Sequence, residues 1–161
     1  MELKDINFAL MPQTAVNIVT RPADFFQKMS KTGGFLEPLV FCVVMGLISG
    51  VIQAILGFMG HAGSYGVGTM SSSFGVIIFM PIAAGIGSFI GAAILFVIWK
   101  IIGSQENYET AYRCSAYLMV LAPITAIISV VPYAGGLINM GIYVFYLVAA
   151  SIHAHNISAQ K

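Results

Sequence analysis

Four long apolar runs, none of which contains a charged residue, follow the first 37 residues of the chain. They cover about residues 38–59, 74–99, 114–131 and 133–152. A helix needs about 20 apolar residues to cross the hydrocarbon core of a bilayer. The pattern therefore predicts an all-α protein, a polytopic transmembrane helical bundle with about four spans.

The chain before the first run is mixed and polar, which predicts two parts: residues 1–37, and the bundle of residues 38–161. Residues 1–20 are expected to form a partly ordered arm. Pro22 suits the first turn of a helix, and the glycine pair after residue 32 would end one. Phe25 and Phe26 contribute to its apolar face. This predicts a short amphipathic helix that lies in the headgroup region or packs against the bundle.

Prolines lie within and between the apolar runs. Pro81 predicts either a kink in the second span or a helix start just before it. Pro123 removes a backbone donor and frees the carbonyl of Met119, so the third span should bend there, with a nearby hydroxyl satisfying the freed group. Pro132 and the glycines that follow it predict a tight turn between the last two spans. Pro38 opens the first span.

Small residues at helical spacing occur in two spans. Gly46 and Gly50 form one GxxxG pair, and Gly87 and Gly91 form another. Such pairs let helix backbones approach closely. They could pack within one chain or between copies in a homo-oligomer, and packing within the chain is expected because the spans are consecutive.

Composition supports a membrane protein. Hydrophobic residues make up 58% of the chain and charged residues only 8%, against about 25% charged in soluble domains. The lipid bilayer is the expected partner. A net charge of +1 does not indicate a nucleic-acid partner. Cys42 and Cys114 are expected to be free thiols.

The charges lie on one side of the predicted spans. The loop of residues 61–73 and the turn near Pro132 carry no charged residue, whereas every basic residue falls on the opposite side (Lys4, Arg21, Lys28, Lys31, Lys100, Arg113, Lys161). The positive-inside rule then predicts cytoplasmic termini. Arg113, with Tyr117 nearby, is interpreted as a snorkelling anchor at the start of the third span, with an ion pair as the alternative.

Candidate chemistry is sparse. Glu106 and Glu109 lie on the same side as His153 and His155, but histidines two residues apart point to nearly opposite helix faces. No metal, cofactor or catalytic residue is expected. The glycine-rich residues 60–68 carry no lysine and follow no strand, so a loop is expected there rather than a nucleotide site.

The order of these features resembles the Yip-domain family, membrane proteins named as interactors of Ypt/Rab GTPases, and in particular its small prokaryotic branch. The matching features run from about residue 21 to 161: Pro22-Ala-Asp-Phe25-Phe26, Gly33-Gly34, Pro38-Leu39-Val-Phe41, Tyr108, Ala111, Arg113, Ser115-Ala-Tyr117, Ala122-Pro123, Val131-Pro132, Gly135-Gly136, His153 and Ser158.

The resemblance implies a compact helical bundle with a cytoplasmic amino terminus, and no catalytic residues. Eukaryotic relatives are linked to vesicle traffic, to Golgi and endoplasmic-reticulum organisation and to Rab binding. They also have a long cytosolic amino-terminal region, which is not expected here. The family usually has five spans, so either a fifth span follows Lys161 or this member has four. Resemblance to the prokaryotic branch implies that the protein lies in the inner (cell) membrane.

Two functions remain open. The concentration of charge on one face favours a non-enzymatic scaffold or adaptor that contacts a cytoplasmic protein partner. The alternative is a small oligomeric transporter or channel, in which Gln53 and Asn139 would line a path. A membrane enzyme that uses the glutamates and histidines named above is the third hypothesis.

Overall fold

The computed structural model describes residues 8–60 and 72–157 of the 161-residue chain. These residues form seven α-helices after a short 3-10 turn at Phe8–Leu10, with no strand among them. The helices are α1 (Met11–Thr20), α2 (Pro22–Lys28), α3 (Leu36–Phe58), α4 (Ser72–Ile102), α5 (Tyr108–Leu118), α6 (Leu121–Ile128) and α7 (Ala134–His153). The predicted all-α class is confirmed. Most of the expected loop at residues 60–68 lies outside the described residues, as do Lys4 and Lys161.

Three helices have the length and hydropathy of membrane spans. The most apolar 18-residue windows of α3, α4 and α7 have mean hydropathies of 2.5, 2.2 and 1.6. Helices α5 and α6 also pass this test as a pair, bent by 41° at the break between them. By length and composition, the described residues thus contain three helices able to cross a membrane, or four if the bent pair is one span.

The bend in the third span falls just before Pro123. Helix α5 ends at Leu118 and α6 begins at Leu121, which places Pro123 in the first turn of α6. The freed carbonyl of Met119 accepts a hydrogen bond from the backbone N–H of Ala122 at 3.0 Å. The expected hydroxyl partner is therefore wrong, because a tighter backbone turn satisfies the group instead. Helix α5 itself begins at Tyr108, before the first residue of the third apolar run.

Pro81 does not begin a helix. Helix α4 runs continuously from Ser72 through Pro81 to Ile102, so the expectation of a start just before Pro81 is wrong. Prolines are tolerated inside membrane helices because neighbouring helices and local adjustments satisfy the freed backbone groups.

Helices α3 and α4 form a closely packed antiparallel pair. A Cβ atom on Gly46 would lie 2.7 Å from the Cβ of Ala84, and one on Gly50 would lie 2.9 Å from the carbonyl oxygen of Val76. Distances below 3.0 Å leave no room for a side chain. The small residues of α3 therefore let the two backbones approach each other within one chain.

The second glycine pair behaves differently. A Cβ atom on Gly91 would meet the Ser115 hydroxyl of α5 at 3.4 Å, whereas one on Gly87 would meet no described atom within 4 Å. Gly91 thus faces α5, and Gly87 is exposed on the outside of the bundle.

The turn between α6 and α7 depends on one close approach. A Cβ atom on Gly135 would lie 2.5 Å from the carbonyl oxygen of Ile128, so only glycine fits there. Pro132 and Tyr133 form the turn itself, and Tyr133 has a φ of 60°. This α6–α7 turn lies where the sequence predicts it.

The two amino-terminal helices pack on the bundle. Phe26 and Ile18 are fully buried, and the Tyr146 hydroxyl of α7 donates to the carbonyl oxygen of Val19 at 2.8 Å. Residues 11–20 are thus a docked helix, and the expectation of a partly ordered arm is wrong for them. Of the two alternatives for the amphipathic helix, the structure shows packing against the bundle.

Candidate functional site

The charged residues meet at one end of the bundle, where α3 begins, α4 ends and α5 begins. The start of α5 is set by Asn107, whose side chain accepts a hydrogen bond from the backbone N–H of Thr110 at 2.9 Å. This cap satisfies one of the free donors at a helix start. Glu109 and Arg113, which are four residues apart, then lie on one face of α5.

These two side chains hold the connection between α2 and α3. The Glu109 carboxylate accepts a hydrogen bond from the Gly34 N–H at 2.6 Å, and the Arg113 guanidinium donates to the Gly34 carbonyl oxygen at 3.0 Å. Gly33 and Gly34 have φ angles of 123° and 89°, a conformation that side chains disfavour. The glycine pair therefore lets the backbone present both polar groups to α5.

Arg113 lies inside the protein. Its side chain is 3% exposed and pairs with the Glu37 carboxylate of α3 at 3.1 Å, while Glu37 is 44% exposed. The Arg113 Nε has no hydrogen-bond partner among the described residues. The snorkelling interpretation is therefore wrong, and the ion-pair alternative is the one observed. Burying a guanidinium costs free energy, and these hydrogen bonds and the ion pair offset that cost.

A second ion pair lies nearer the protein surface at this end of the bundle. The Lys31 ammonium lies 2.6 Å from the Glu106 carboxylate, with both side chains partly exposed. We call Lys31, Gly34, Glu37, Glu106, Glu109 and Arg113 the polar cluster. It links the α2–α3 connection, the start of α3 and the start of α5 into one surface.

An aromatic layer lies beneath the polar cluster. The Tyr117 ring of α5 makes edge contacts with Phe25 of α2 and Phe41 of α3, with centroid distances of 5.2 and 5.3 Å. Phe26 and Pro38 are fully buried beside them. The structure thus gathers at one end five of the seven residues predicted to shape the bundle or to contact a partner (Phe25, Phe26, Pro38, Arg113, Tyr117), whereas Pro123 lies at the break between α5 and α6 and Pro132 at the α6–α7 turn.

The carboxyl end of α7 adds a buried histidine. The His155 ring stacks on Trp99 of α4 at 3.8 Å between centroids, and its Nδ1 lies 2.9 Å from the Ser104 hydroxyl. Its Nε2 has no hydrogen-bond partner among the described residues. Burial lowers the pKa of His155 from 6.5 to about 4, and the Glu106 carboxylate offsets part of this shift. His155 is thus neutral at physiological pH.

The titratable side chains of Glu106, Glu109 and His155 at this end have partners within the protein. Across residues 8–60 and 72–157, no group of three His, Cys, Asp or Glu side chains lies close enough to hold a metal ion. Glu106 and Glu109 bond to Lys31 and to the Gly34 backbone, and His155 packs on Trp99.

The sequence pattern does not predict several of the contacts made at this end of the bundle. The spacing of Glu109 and Arg113 would suggest a pair within α5, but both reach the α2–α3 connection instead. Glu37 directly precedes an apolar run and gives no indication of its partner. Trp99 and Ser104 become partners of His155 only because α4 and α7 end side by side.

A family model described as Yip1 domain matches residues 16–161, which include all seven helices in whole or in part. No curated protein and no solved structure matches the chain.

Proposed function

Since the chain belongs to the Yip1-domain family of membrane proteins, we propose that it acts as a non-enzymatic scaffold or adaptor. Its polar end would contact a protein partner, and its apolar helices would hold that contact at the membrane. Four apolar helical segments, counting α5 and α6 as one, support the membrane part of this role.

One observation carries the proposal: the charged residues of the polar cluster form a single braced surface. The α2–α3 connection is bonded to α5 at Gly34, and ion pairs join Lys31 to Glu106 and Glu37 to Arg113. A surface held in one shape loses little conformational entropy when a partner binds. Lys28 and Lys100 remain exposed near it and can meet an acidic partner.

The same asymmetry supports an orientation. Among the described residues, the opposite end of the bundle, where α6 ends and α7 begins, carries no charged side chain. The positive-inside rule then supports a cytoplasmic polar end and amino terminus. We propose a prokaryotic inner membrane as its location, because the sequence resembles the small prokaryotic branch of the family.

The non-enzymatic part of the proposal rests on how the titratable groups are used. Glu106 and Glu109 hold the polar cluster together, and His155 is stacked between helix ends with its Nδ1 at Ser104. Each group bonds to a structural neighbour, which is the arrangement expected of a brace rather than of an acid–base pair poised for a substrate.

Site-specific photo-crosslinking in native membranes tests the proposal. A photoreactive residue replaces Lys28 or Gln105, which are exposed near the polar end, or Tyr133, which is 97% exposed at the opposite end. We expect a stoichiometric second protein to crosslink from the first two positions and not from Tyr133. The Lys28→Glu variant should reduce the crosslink made from Gln105.

The transporter or channel alternative predicts another outcome. Its candidate polar residues have other partners: Asn139 donates to the carbonyl oxygen of Thr125 at 3.1 Å, and Gln53 donates to the Ser49 hydroxyl at 3.1 Å. If crosslinking shows only copies of this chain, the adaptor proposal is wrong, and solute flux into reconstituted vesicles becomes the deciding measurement.

A further inference from the structure

An apolar groove runs between α1 and the spans. Its volume is about 630 Å³, with α1 on one side and α3 and α6 on the other. Met11, Ala15 and Val19 line it from α1, and Val44, Ile48 and Ile124 line it from the spans. The polar cluster contributes nothing to this groove, which therefore needs its own explanation.

The chemistry of the lining selects an apolar ligand. Thr20 is the one polar side chain among the described residues that line the groove. Its hydroxyl donates to the carbonyl oxygen of Val16 at 2.8 Å. The Thr20 hydroxyl therefore has no hydrogen left to donate to a ligand. A polar ligand would lose its bonds to water here without gaining new ones, which costs free energy.

The length of the groove suits part of an acyl chain. Helix α1 has 10 residues and is about 15 Å long at 1.5 Å per residue. The groove of about 630 Å³ beside it has room for an extended hydrocarbon chain.

The groove lies at the depth of lipid tails. Val44 and Ile48 are 8 and 12 residues beyond Leu36, the first residue of α3, which places them about 12–18 Å along that span. The hydrocarbon core is about 30 Å thick. Val16 and Ile48 are 53% and 41% exposed in the isolated chain, so the groove opens toward the surrounding lipid.

Charge at one end of the groove fits a phosphate headgroup. Arg21 directly follows Thr20, which lines the groove, and it is exposed. It forms no ion pair with another described residue. An arginine can bind a phosphate through two parallel hydrogen bonds.

We propose that this groove is a binding site for one acyl chain of a phospholipid, with the lipid phosphate at Arg21. The site does not depend on the adaptor role. A lipid held there would fill the space between α1 and the spans and would contribute to keeping α1 in place.

Native mass spectrometry tests the site. The full chain is purified in a mild detergent and supplied with phosphatidylglycerol, and bound lipids are counted per chain. We expect one retained phospholipid. Ala15→Trp fills the groove and should lower the apparent lipid affinity at least about tenfold, the loss expected when bulk blocks an apolar site. Arg21→Gln should lower it about tenfold through the lost charged hydrogen bonds.

Val144→Trp is the matched control. Val144 is 54% exposed on α7 and does not line the groove, so this variant should retain the lipid as the wild type does. Equal retention by the Ala15→Trp and Val144→Trp variants would overturn the proposal. A wild-type dimer that becomes a lipid-free monomer in the Ala15→Trp variant would also overturn it, in favour of a second copy as the occupant.

A wild-type measurement covers the case in which Ala15→Trp does not fold. A phospholipid with a diazirine at mid-chain is photo-crosslinked to the protein in vesicles, and the labelled peptides are mapped. Labelling concentrated in residues 8–20, 44–48 and 120–124 supports the site. Labelling no stronger there than in residues 137–148 of the exposed α7 surface argues against it.

Discussion

Arg113 donates a hydrogen bond to the carbonyl oxygen of Gly34 at 3.0 Å, although 79 residues separate them. Glu109, one turn earlier on α5, holds the N–H of the same glycine. One face of α5 thus binds both the N–H and the carbonyl oxygen of Gly34. Because Gly34 lies in the segment that leads from α2 into α3, the position of both amino-terminal helices depends on these two side chains.

We predict that Arg113→Met lowers the free energy of unfolding by about 2 kcal/mol. The methionine keeps most of the side-chain volume, but the Gly34 carbonyl and the Glu37 carboxylate lose their partner. A group left unsatisfied in this way costs about 1–3 kcal/mol. Unfolding by denaturing detergent, followed by circular dichroism, measures the change.

Lys28→Met is the control for this change. Lys28 is exposed, and a surface substitution should alter stability by less than about 0.5 kcal/mol. If both variants have the same stability as the wild type, the Arg113 pair does not brace the polar cluster.

The two GxxxG pairs should respond oppositely to alanine. Gly46→Ala places a Cβ 2.7 Å from the Cβ of Ala84 and 3.0 Å from the Met80 carbonyl oxygen, which should destabilise the fold by about 1–3 kcal/mol. Gly87→Ala meets no described atom within 4 Å. It should be neutral or stabilise by up to about 1 kcal/mol, because alanine favours a helix. Thermal unfolding in detergent compares them, and a loss of stability in Gly87→Ala would indicate a contact between copies.

Stability should fall in mild acid because of His155. Its pKa is about 4 in the folded protein and 6.5 ordinarily, so the unfolded state binds more protons between these values. The contribution of neutral His155 is complete above pH 6.5 and is lost as the pH falls toward 4, by roughly 3 kcal/mol at about 1.4 kcal/mol per pKa unit.

The measurement is the midpoint of thermal unfolding from pH 8 to pH 4. In His155→Phe, which keeps an aromatic ring against Trp99, the decrease between pH 6.5 and 4 should become smaller. The control His153→Phe, two residues earlier on α7, should keep the wild-type profile. An unchanged profile in His155→Phe would assign the acid sensitivity to other groups.

Cysteine labelling should report the proposed orientation. Cys42 and Cys114 are fully buried, so an added cysteine is the main reactive thiol. A membrane-impermeant maleimide should label Tyr133→Cys in intact cells and Lys28→Cys only after the membrane is permeabilised. The reverse pattern would show that the polar end faces outward.

The class of the protein was predictable from local sequence. Apolar runs without charge predict membrane helices wherever they occur, since each span must satisfy its own backbone and match its own lipid surroundings. The bend before Pro123 and the turn at Pro132 were also predictable, because a proline acts on the backbone within four residues of itself.

Only the tertiary structure determined which distant residues contact each other. The pairing of Arg113 with Glu37 joins residues 76 positions apart, and the stacking of His155 on Trp99 depends on two helices that end side by side. The burial of Ile18 and Phe26 required a bundle surface to pack against. Hydrophobic periodicity specifies which face of a helix avoids water, but it carries no information about which distant surface will cover that face.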